Sequence, residues 1–440
     1  MMNRMDEEQI NAGLMRFLDA SPNAYYAVRN MCEMLTEAGF EELREEAPWK
    51  LKKGGSYYVT RNGSALISFR IPEDEIAGYQ IMASHSDSPS FKIKPNAEID
   101  ACGNYTVLNT EKYGGMLCGT WFDRPLSAAG RVAVETEQGV EMRLVNLDQD
   151  LLIIPSLAIH MNREANDGYK FNAQKDLLPL SGELASKGAF MKLVAEAAGT
   201  TPEKILDTDL FLYNRMPAAR IGTEGEFIAS GRLDDLQCAY ASLLGIMQAK
   251  PAKSLAVQCV FDNEEVGSMT KQGAAATFLR DTLRRINIVL GRSEEEILRS
   301  PSSSFMVSAD NAHAVHPNYP EKADPTNRPA MNKGIVIKYS ANQKYTTDAA
   351  AGAVFRRICD QAAVPYQTFA NRSDMLGGST LGNISQSQLS LNTVDIGLPQ
   401  LAMHSSYELA GAKDTAWLAA AAVQLFSSSV RADGAQLILE

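Results

Sequence analysis

Acidic and imidazole side chains follow directly on short apolar runs in this 440-residue sequence. The run SLAVQCVF precedes the acidic segment DNEE (residues 262–265), SFMVSA precedes Asp310, and YQIMAS precedes His85. Runs of this kind are typical of buried strands. In open α/β sheets, ligands bind beyond the carboxyl ends of the strands. We therefore expect these side chains to converge at one edge of a sheet.

Imidazole nitrogens combined with carboxylate oxygens suit zinc, with cobalt or manganese as possible substitutes. A pair of ions about 3.5–4 Å apart requires a bridging carboxylate and activates a shared water. Of two adjacent acids such as Glu264 and Glu265, one can bind metal while the other takes a proton. An isolated DNEE segment is more often a solvated loop or a helix N-terminus. Its position after a buried strand favours the metal-site interpretation.

The surrounding pattern predicts the elements that position these residues. Amphipathic periodicity predicts helices over residues 3–19, 22–38, 274–288 and 348–362, and a final helix from residue 407. An Asn-Gly turn inside SYYVTRNGSALISFRI predicts a β-hairpin. Residues 96–227 contain short strand-like runs and few long helical periods, which indicates an inserted β-rich domain. Residues 1–95 and 228–440 are then expected to form one α/β domain with a sheet between helices.

Composition excludes several classes of protein. The net charge is −11 and no basic run is present, which argues against a nucleic-acid partner. No stretch approaches the ~20 apolar residues of a membrane span, and the first residues lack the apolar core of a secretory signal. The six cysteines include no CxxC pair and are expected to be reduced and mostly buried. We therefore expect a cytoplasmic protein.

Nine segments, taken in order from residue 85 to 408, carry a family resemblance. They are HSDSPSFKIKP, KYGGMLCGTWFDRPLSAAGRV, LAIHMNR, GRLDDL, DNEEVGS, SADNAHAVHPNYP, NQKY, GGSTLG and VDIGLPQLAMHSSYE. Together they resemble the aspartyl aminopeptidase family of di-zinc metallopeptidases, here a bacterial member. The resemblance implies a mixed-sheet, three-layer zinc-peptidase domain whose inserted β-rich domain serves oligomerisation and completes the site.

The resemblance also implies a ligand set for two zinc ions: His85, Asp234, Glu265, Asp310 and His404. Asp234 would bridge the ions, His85 and Asp310 would complete one site, and Glu265 and His404 the other. Three ligand carboxylates against two dications leave a net charge of about +1, which favours hydroxide and polarises a substrate carbonyl.

Further roles follow from the same resemblance. Glu264 would be the general base, and Asp87 would orient the imidazole of a ligand. His160 would reach the active site of a neighbouring subunit in a particle of twelve subunits. Taken alone, Asp87 is equally plausible as a turn residue before Ser88-Pro89, and His160 as a structural histidine. His313 and His316 match family positions without a definite task, and we leave them outside the ligand set.

The family removes Asp or Glu from peptide N-termini, and Lys338 with Tyr345 would bind that acidic side chain. An ammonium group suits a single carboxylate. The alternative for Lys338 is a solvent-exposed lysine on an edge strand. Two other functions stay open: a di-zinc aminopeptidase that prefers neutral or basic N-termini, and a particle-forming binding protein without catalysis.

The sequence departs from the family pattern at one informative position. Family members commonly have Asp-Asn where this chain has Asp234-Asp235. A second acid near the metals would lower the charge of the site. It also makes the bridging assignment ambiguous by one position, although alignment with the RLxxL pattern favours Asp234. HSDSP in place of HTDSP and QKY in place of QRY are milder changes.

Overall fold

The computed structural model describes residues 6–440, and these form two compact units. The first unit contains the chain up to Asp87 together with residues 218–403 and 408–440, and the second contains residues 88–217 and 404–407. The chain thus changes unit after residues 87 and 217, whereas the sequence prediction divided it after residues 95 and 227. The first residues of the helix predicted over 3–19 lie outside the described residues.

The described residues form nine α-helices. They are α1 (Glu7–Ala20), α2 (Ala24–Glu37), α3 (Ala189–Ala197), α4 (Leu233–Gln248), α5 (Phe278–Val289), α6 (Glu294–Arg299), α7 (Ala349–Ala362), α8 (Leu381–Ser385) and α9 (Asp414–Ser427). None of the helices within residues 6–440 is both long and apolar enough to cross a bilayer.

The described residues also form 22 β-strands. They are β1 (Glu41–Leu43), β2 (Ser56–Arg61), β3 (Ala65–Arg70), β4 (Gly78–His85), β5 (Ser90–Ala101), β6 (Tyr105–Tyr113), β7 (Leu126–Thr136), β8 (Gly139–Asn146), β9 (Leu180–Glu183), β10 (Ile205–Asn214), β11 (Ala219–Ile221), β12 (Phe227–Ser230), β13 (Ser254–Phe261), β14 (Phe305–Ala309), β15 (Ala312–His313), β16 (Ile335–Tyr339), β17 (Tyr366–Ala370), β18 (Asn392–Gly397), β19 (Pro399–Leu401), β20 (Glu408–Gly411), β21 (Val430–Asp433) and β22 (Gln436–Leu439).

A nine-stranded sheet in the order β1-β2-β3-β13-β4-β14-β18-β16-β17 organises the first unit. Its central strands β13, β4, β14 and β18 are parallel, whereas β3 and β16 run antiparallel to their central neighbours. One apolar cluster packs helices α1, α2, α4, α7 and α9 on one face, and another packs α5 and residues of α8 on the other face. The sheet is therefore mixed and lies between two helical layers, which confirms the predicted fold class.

The parallel pairing brings three chemically active strand ends to one edge of this sheet. Phe261, the last residue of β13, lies opposite His85, the last residue of β4. On the other side of β4, strand β14 pairs with it up to Ser308, two residues before Asp310. The acidic segment after β13, His85 and Asp310 are thus neighbours because their strands are neighbours and share one direction.

The structure confirms one sequence prediction for this unit and corrects another. The hairpin predicted at the Asn-Gly turn is confirmed, since β2 and β3 pair in antiparallel register. The long final helix predicted from residue 407 is wrong at its start. The segment Glu408–Gly411 is strand β20, and helix α9 begins only at Asp414. Strand β20 belongs to a second sheet of this unit, in the order β11-β12-β20-β19-β15.

The second unit contains a six-stranded sheet in the order β8-β7-β10-β5-β6-β9. Neighbouring strands of this sheet pair antiparallel, and alternate residues along each strand face opposite sides of the sheet. One face supplies the unit's apolar core, in which Val132, Val145 and Leu210 pack with Phe190 and Val194 of helix α3.

Helix α4 packs closely against helix α9 at Gly245. A Cβ atom at Gly245 would lie 2.4 Å from the Cβ of Ala422. Alanine favours a helix interior by about 1 kcal/mol over glycine, but a forced shift of packed helices costs about 1–3 kcal/mol or more. We therefore expect Gly245→Ala to lower the free energy of unfolding in urea denaturation. Gly378→Ala, where a Cβ meets nothing within 4 Å, is the control and should change it by less than about 0.5 kcal/mol. Equal stability of the two variants would contradict this packing.

Candidate metal centre

His85 lies at the centre of a group of possible ligand atoms. It is the last residue of β4 and is 1% exposed. Its Nε2 lies 3.5 Å from Oδ1 of Asp234 and 3.8 Å from Oδ1 of Asp310. Two ligands bound tetrahedrally at about 2.0–2.1 Å from one zinc ion are roughly 3.3 Å apart. The observed spacing is therefore close to that of ligands around a metal ion.

The charge around His85 favours a cation. Burial by itself would lower the pKa of His85, but its contacts with the carboxylates of Asp234, Asp310 and Asp87 raise that pKa well above its usual range. The carboxylates thus stabilise positive charge at this position, and a bound dication would supply it. The donor set, one imidazole with two carboxylates, fits zinc.

Asp87 fixes the orientation of the His85 ring. The Nδ1 atom of His85 lies 3.0 Å from the backbone carbonyl oxygen of Asp87 and 3.4 Å from its carboxylate Oδ1. A carbonyl oxygen can only accept a hydrogen bond, so Nδ1 carries the proton in this contact. In the neutral ring, Nε2 then has the free lone pair, and it faces Asp234 and Asp310. This is the tautomer that a metal ligand needs.

Asp234 is presented by an irregular start of helix α4. Asp234 and Asp235 have non-helical backbone angles within the first turn, and the peptide bond between them is cis. The amide of Asp234 donates to Oε2 of Glu408 at 3.0 Å, and the amide of His85 donates to Oδ2 of Asp235 at 3.1 Å. Two further buried carboxylates thus hold the backbone of two candidate ligands in place.

Glu264 and Glu265 lie on a short 3-10 turn, Glu264–Val266, directly after β13. Asn263 and Gly267, on either side of this turn, both adopt left-handed backbone angles. One oxygen of each glutamate lies with a nitrogen of His85 in a group whose atoms are within 4.8 Å of one another. The adjacent acids therefore both face the imidazole, as the sequence predicted for this strand end.

The two glutamates are partly shielded from solvent and crowded by other acids. Burial, together with the charges of Asp310, Asp87 and Asp234, raises the pKa of Glu264 to about 8, against the opposing effect of His85. Burial and nearby carboxylates also raise the pKa of Glu265 well above its usual range. Crowded carboxylates of this kind hold a proton or bind a cation, and both are uses that a hydrolytic metal site makes of them.

Lys338 is buried rather than exposed at a sheet edge. Strand β16 lies between β18 and β17, and Lys338 is 3% exposed. Its ammonium donates to the carbonyl oxygen of Asn311 at 2.9 Å and lies 5.4 Å from the centre of the Tyr345 ring. Burial opposes the charge of Lys338, but Asp310 and other acids outweigh it and raise the pKa above the usual value. The lysine therefore stays charged at neutral pH.

The remaining histidines lie on segments whose contacts do not decide their roles. His404 has a left-handed backbone, and its segment, residues 404–407, is part of the second unit, where the Leu117 amide donates to the His404 carbonyl. His160 lies in an exposed turn of the same unit. Their roles as ligand and as neighbour-reaching residue stay predictions. His313, at the end of β15, is exposed and has its ring against Phe369.

Sequence reasoning did not single out Glu408 and Asn311. Glu408 is 2% exposed, and its carboxylate accepts a hydrogen bond from the backbone amide of Asp234. The side-chain amide of Asn311 donates to the backbone carbonyl of Leu233 at 3.0 Å, and the backbone carbonyl of Asn311 accepts from the ammonium of Lys338. Both residues stand inside motifs that carried the family resemblance. Their contacts join distant parts of the chain, however, and no local spacing marks them.

Comparisons with known proteins identify the family of this chain. The family model of the aminopeptidase I zinc metalloproteases (M18) matches residues 17–428. The "Probable M18 family aminopeptidase 2" of Clostridium acetobutylicum is 47% identical over 409 residues, which cover 91% of this chain and 94% of that protein. In the cryo-EM structure of the Ape4 and Nbr1 complex, a chain that is 37% identical superposes with a TM-score of 0.92 and covers 96% of this chain and 86% of that one. A chain of the S. cerevisiae mApe1 dodecamer is 25% identical and has a TM-score of 0.84, with 95% of this chain and 96% of that one covered.

The identity over nearly the whole chain and the match of the fold point in the same direction as the ligand geometry. They confirm the family resemblance carried by the nine sequence segments, at the level of the M18 peptidases. The protein belongs to the aminopeptidase I zinc metalloprotease (M18) family and is a metalloaminopeptidase.

Proposed function

We propose that this metalloaminopeptidase uses two zinc ions and Glu264 to remove N-terminal Asp or Glu residues from peptides. The observation that carries the two-ion proposal is that four carboxylates converge on His85, of which three would be ligands and one, that of Glu264, would be the base. Asp234 and Asp310 form one group with His85, and Glu264 and Glu265 form another. A single tetrahedral ion does not need so many carboxylates, whereas two ions that share one carboxylate do.

The residues divide naturally between two ions. His85 and Asp310 would hold one ion, Glu265 and His404 would hold the other, and Asp234 would be shared. When bound, the zinc ions supply positive charge that lowers the pKa of a water and polarises the scissile carbonyl; cobalt or manganese would serve as substitutes. Asp87 keeps the proton of His85 on Nδ1, so that Nε2 is available as a ligand.

Glu264 would act as general base and then as general acid. Its carboxylate would take a proton from the attacking water and pass it to the leaving amine. A partly buried carboxylate beside other acids is suited to this task, because its surroundings raise the pKa of Glu264 to about 8, close to neutral pH. The adjacent Glu265 would stay ionised as a ligand.

The division of tasks between the two glutamates can be tested directly. We expect Glu264→Gln to retain both metals but to lower kcat by ~10²–10⁴-fold, because a general base is lost. Glu265→Gln should instead lower the zinc content per chain, because an amide is a poorer ligand than a carboxylate. Metal analysis of both variants after gel filtration, with parallel kinetics, gives the answer. An empty site in Glu264→Gln would show that the tasks are assigned the wrong way round.

Lys338 supports an acidic specificity. Its charged ammonium has three donors, and the carbonyl of Asn311 uses one of them. A substrate carboxylate could accept from another while the Tyr345 ring packs beside it. The structure disfavours the alternative of a solvent-exposed lysine. A second role for Lys338 is to offset the charge of Asp310, which would not require an acidic substrate.

A substrate panel separates these roles of Lys338. We expect Asp- and Glu-anilides to be cleaved faster than Leu- and Lys-anilides. We also expect Lys338→Met to lower kcat/KM for the Asp substrate about 10–100-fold more than for Leu, because a charge-assisted hydrogen bond of about 1.5–3 kcal/mol is lost. An equal loss for both substrates would assign Lys338 to the metal site alone. If the wild-type enzyme prefers Leu or Lys, the alternative of a neutral or basic specificity replaces ours.

Metal content tests the two-ion proposal. We expect about two zinc ions per chain, loss of activity on dialysis against a chelator, and recovery on addition of zinc, cobalt or manganese. A protein that binds about one ion per chain yet has full activity would contradict the two-ion mechanism. Less than about one ion, with no activity after any of these metals is added, would favour a binding protein that has lost catalysis.

We also propose that the protein assembles into a homo-oligomer of twelve subunits and works on peptides with a free N-terminus in the cytoplasm. The S. cerevisiae mApe1 of similar fold is described as a dodecamer. In the second unit, exposed apolar side chains lie near His160 in the sequence: Leu157, Ile159, Met161, Tyr169 and Phe171. Apolar surface of this kind is typical of protein interfaces, and burial there would place His160 beside a neighbouring subunit. The six cysteines are all free thiols, which agrees with a reducing compartment.

A further inference from the structure

We propose that the carboxylate of Asp87 is a positioning residue for the catalytic base Glu264, and not only for the ligand His85. This inference rests on the proposed function, in which Glu264 takes the proton of the attacking water. It assigns to the side chain of Asp87 a target different from the imidazole that the family resemblance implies for it.

The geometry of the Asp87 carboxylate carries this assignment. Its Oδ1 accepts from the backbone amide of Glu264 at 3.1 Å, and its Oδ2 accepts from the backbone amide of Glu265 at 3.1 Å. Asp87 is 5% exposed, so these contacts lie out of water. Hydrogen bonds to an ionised, buried acceptor are stronger than those between neutral groups. One carboxylate therefore fixes the backbone of the base and of its neighbour together.

His85 contacts this carboxylate as well, but that is the longer of its two contacts with Asp87. Its Nδ1 is closer to the backbone carbonyl of Asp87, at 3.0 Å, than to the carboxylate, at 3.4 Å. Its own backbone amide is held by Asp235 at 3.1 Å. A change in the Asp87 side chain leaves both of these contacts available. The side chain of Asp87 and its backbone thus serve different partners, and a substitution can separate them.

The turn that carries Glu264 needs such an anchor. It is a 3-10 turn of three residues, Glu264–Val266, and the residues on either side adopt left-handed backbone angles. The turn's own backbone hydrogen bonds, from the amides of Val266, Gly267 and Ser268, leave the amides of Glu264 and Glu265 to Asp87. A displacement of about 1 Å in a reacting group can lower a rate ~10²-fold. The two amide contacts with Asp87 therefore set how the base meets the water.

Asp87→Asn weakens this anchor selectively. Asparagine offers one carbonyl oxygen to one amide, but its NH2 group cannot accept from the other. We expect kcat to fall about 10–100-fold, with KM and zinc per chain changed less than about 2-fold. The deciding measurement is a double-mutant cycle. In the Glu264→Gln background, Asp87→Asn should lower the residual kcat by less than about 3-fold, because the group that it positions is already gone.

A matched control is available in Asp414, a buried carboxylate of the same unit that accepts from the amides of Asn332 and Gly334. Asp414→Asn makes the same chemical change and should leave kcat within about 3-fold, even if it lowers stability. If Asp87→Asn does not accumulate as folded protein, the same cycle is measured with Asp87→Ser, whose single hydroxyl oxygen replaces the two carboxylate oxygens.

Two results would overturn the inference. One is an equal fall in kcat from Asp87→Asn in the wild-type and Glu264→Gln backgrounds, because Asp87 would then act without the base. The other is a loss of zinc from Asp87→Asn that matches its loss of activity, because Asp87 would then act through His85. A Glu264→Gln enzyme with undiminished turnover would instead refute the proposed function, and the two failures are therefore distinguishable.

Discussion

The burial of several carboxylates at one edge of the nine-stranded sheet is the constraint on which the rest of this site depends. The buried ones include Asp87, Asp234, Asp235, Asp310 and Glu408. A buried carboxylate is costly unless hydrogen bonds or positive charge compensate for the lost water. Backbone amides compensate Asp87, Asp235 and Glu408. The remaining acids gather around His85, where a metal cation would provide the compensation.

This arrangement changes the charge assigned to the centre. Three ligand carboxylates and two dications give a net charge of about +1. That charge does not include Asp87, Asp235 and Glu408, which contact the candidate ligands. It also does not include Lys338. The site is therefore more acidic than its ligand set, and amide donors partly screen the extra charge. Asp235, where the family pattern of the sequence resemblance has Asn, accepts from the amide of His85. An asparagine oxygen could accept the same bond, so this contact alone does not explain the aspartate.

The strand-end chemistry was predictable because it depends on local patterns. A continuous apolar run followed by acids or histidine predicts a buried strand and an exposed end, and three such ends, after β4, β13 and β14, meet in the sheet. The helices around them follow from periodicity in the same way. Nothing in these patterns gives the sheet order, which brings residues 85, 262–265 and 310 to one place. The nine motif segments, not periodicity, linked these three ends to one activity.

The parts that sequence reasoning missed depend on contacts between distant residues. The segment YELAGA before the alanine-rich helix α9 reads as a helical start, yet Glu408–Gly411 pairs with β12 about 180 residues earlier and becomes a strand. Pairing decides the structure there, because an alanine-rich segment has little preference of its own for where a helix begins. The same pairing brings Glu408 to the amide of Asp234. A one-dimensional pattern contains neither fact.

Asn311 shows how one residue can join specificity to catalysis. Asn311 directly follows the candidate ligand Asp310. Its side-chain amide donates to the backbone carbonyl of Leu233, the residue before Asp234, and its backbone carbonyl accepts from the ammonium of Lys338. The position of the buried ammonium and the positions of two candidate ligands are therefore set by the same short segment at the end of β14. Close-packed interiors transmit small displacements rather than absorbing them. In the proposed function, a substrate side chain that pulls on Lys338 would therefore act on the backbone that carries Asp310, and a change of specificity would also affect the candidate metal ligands.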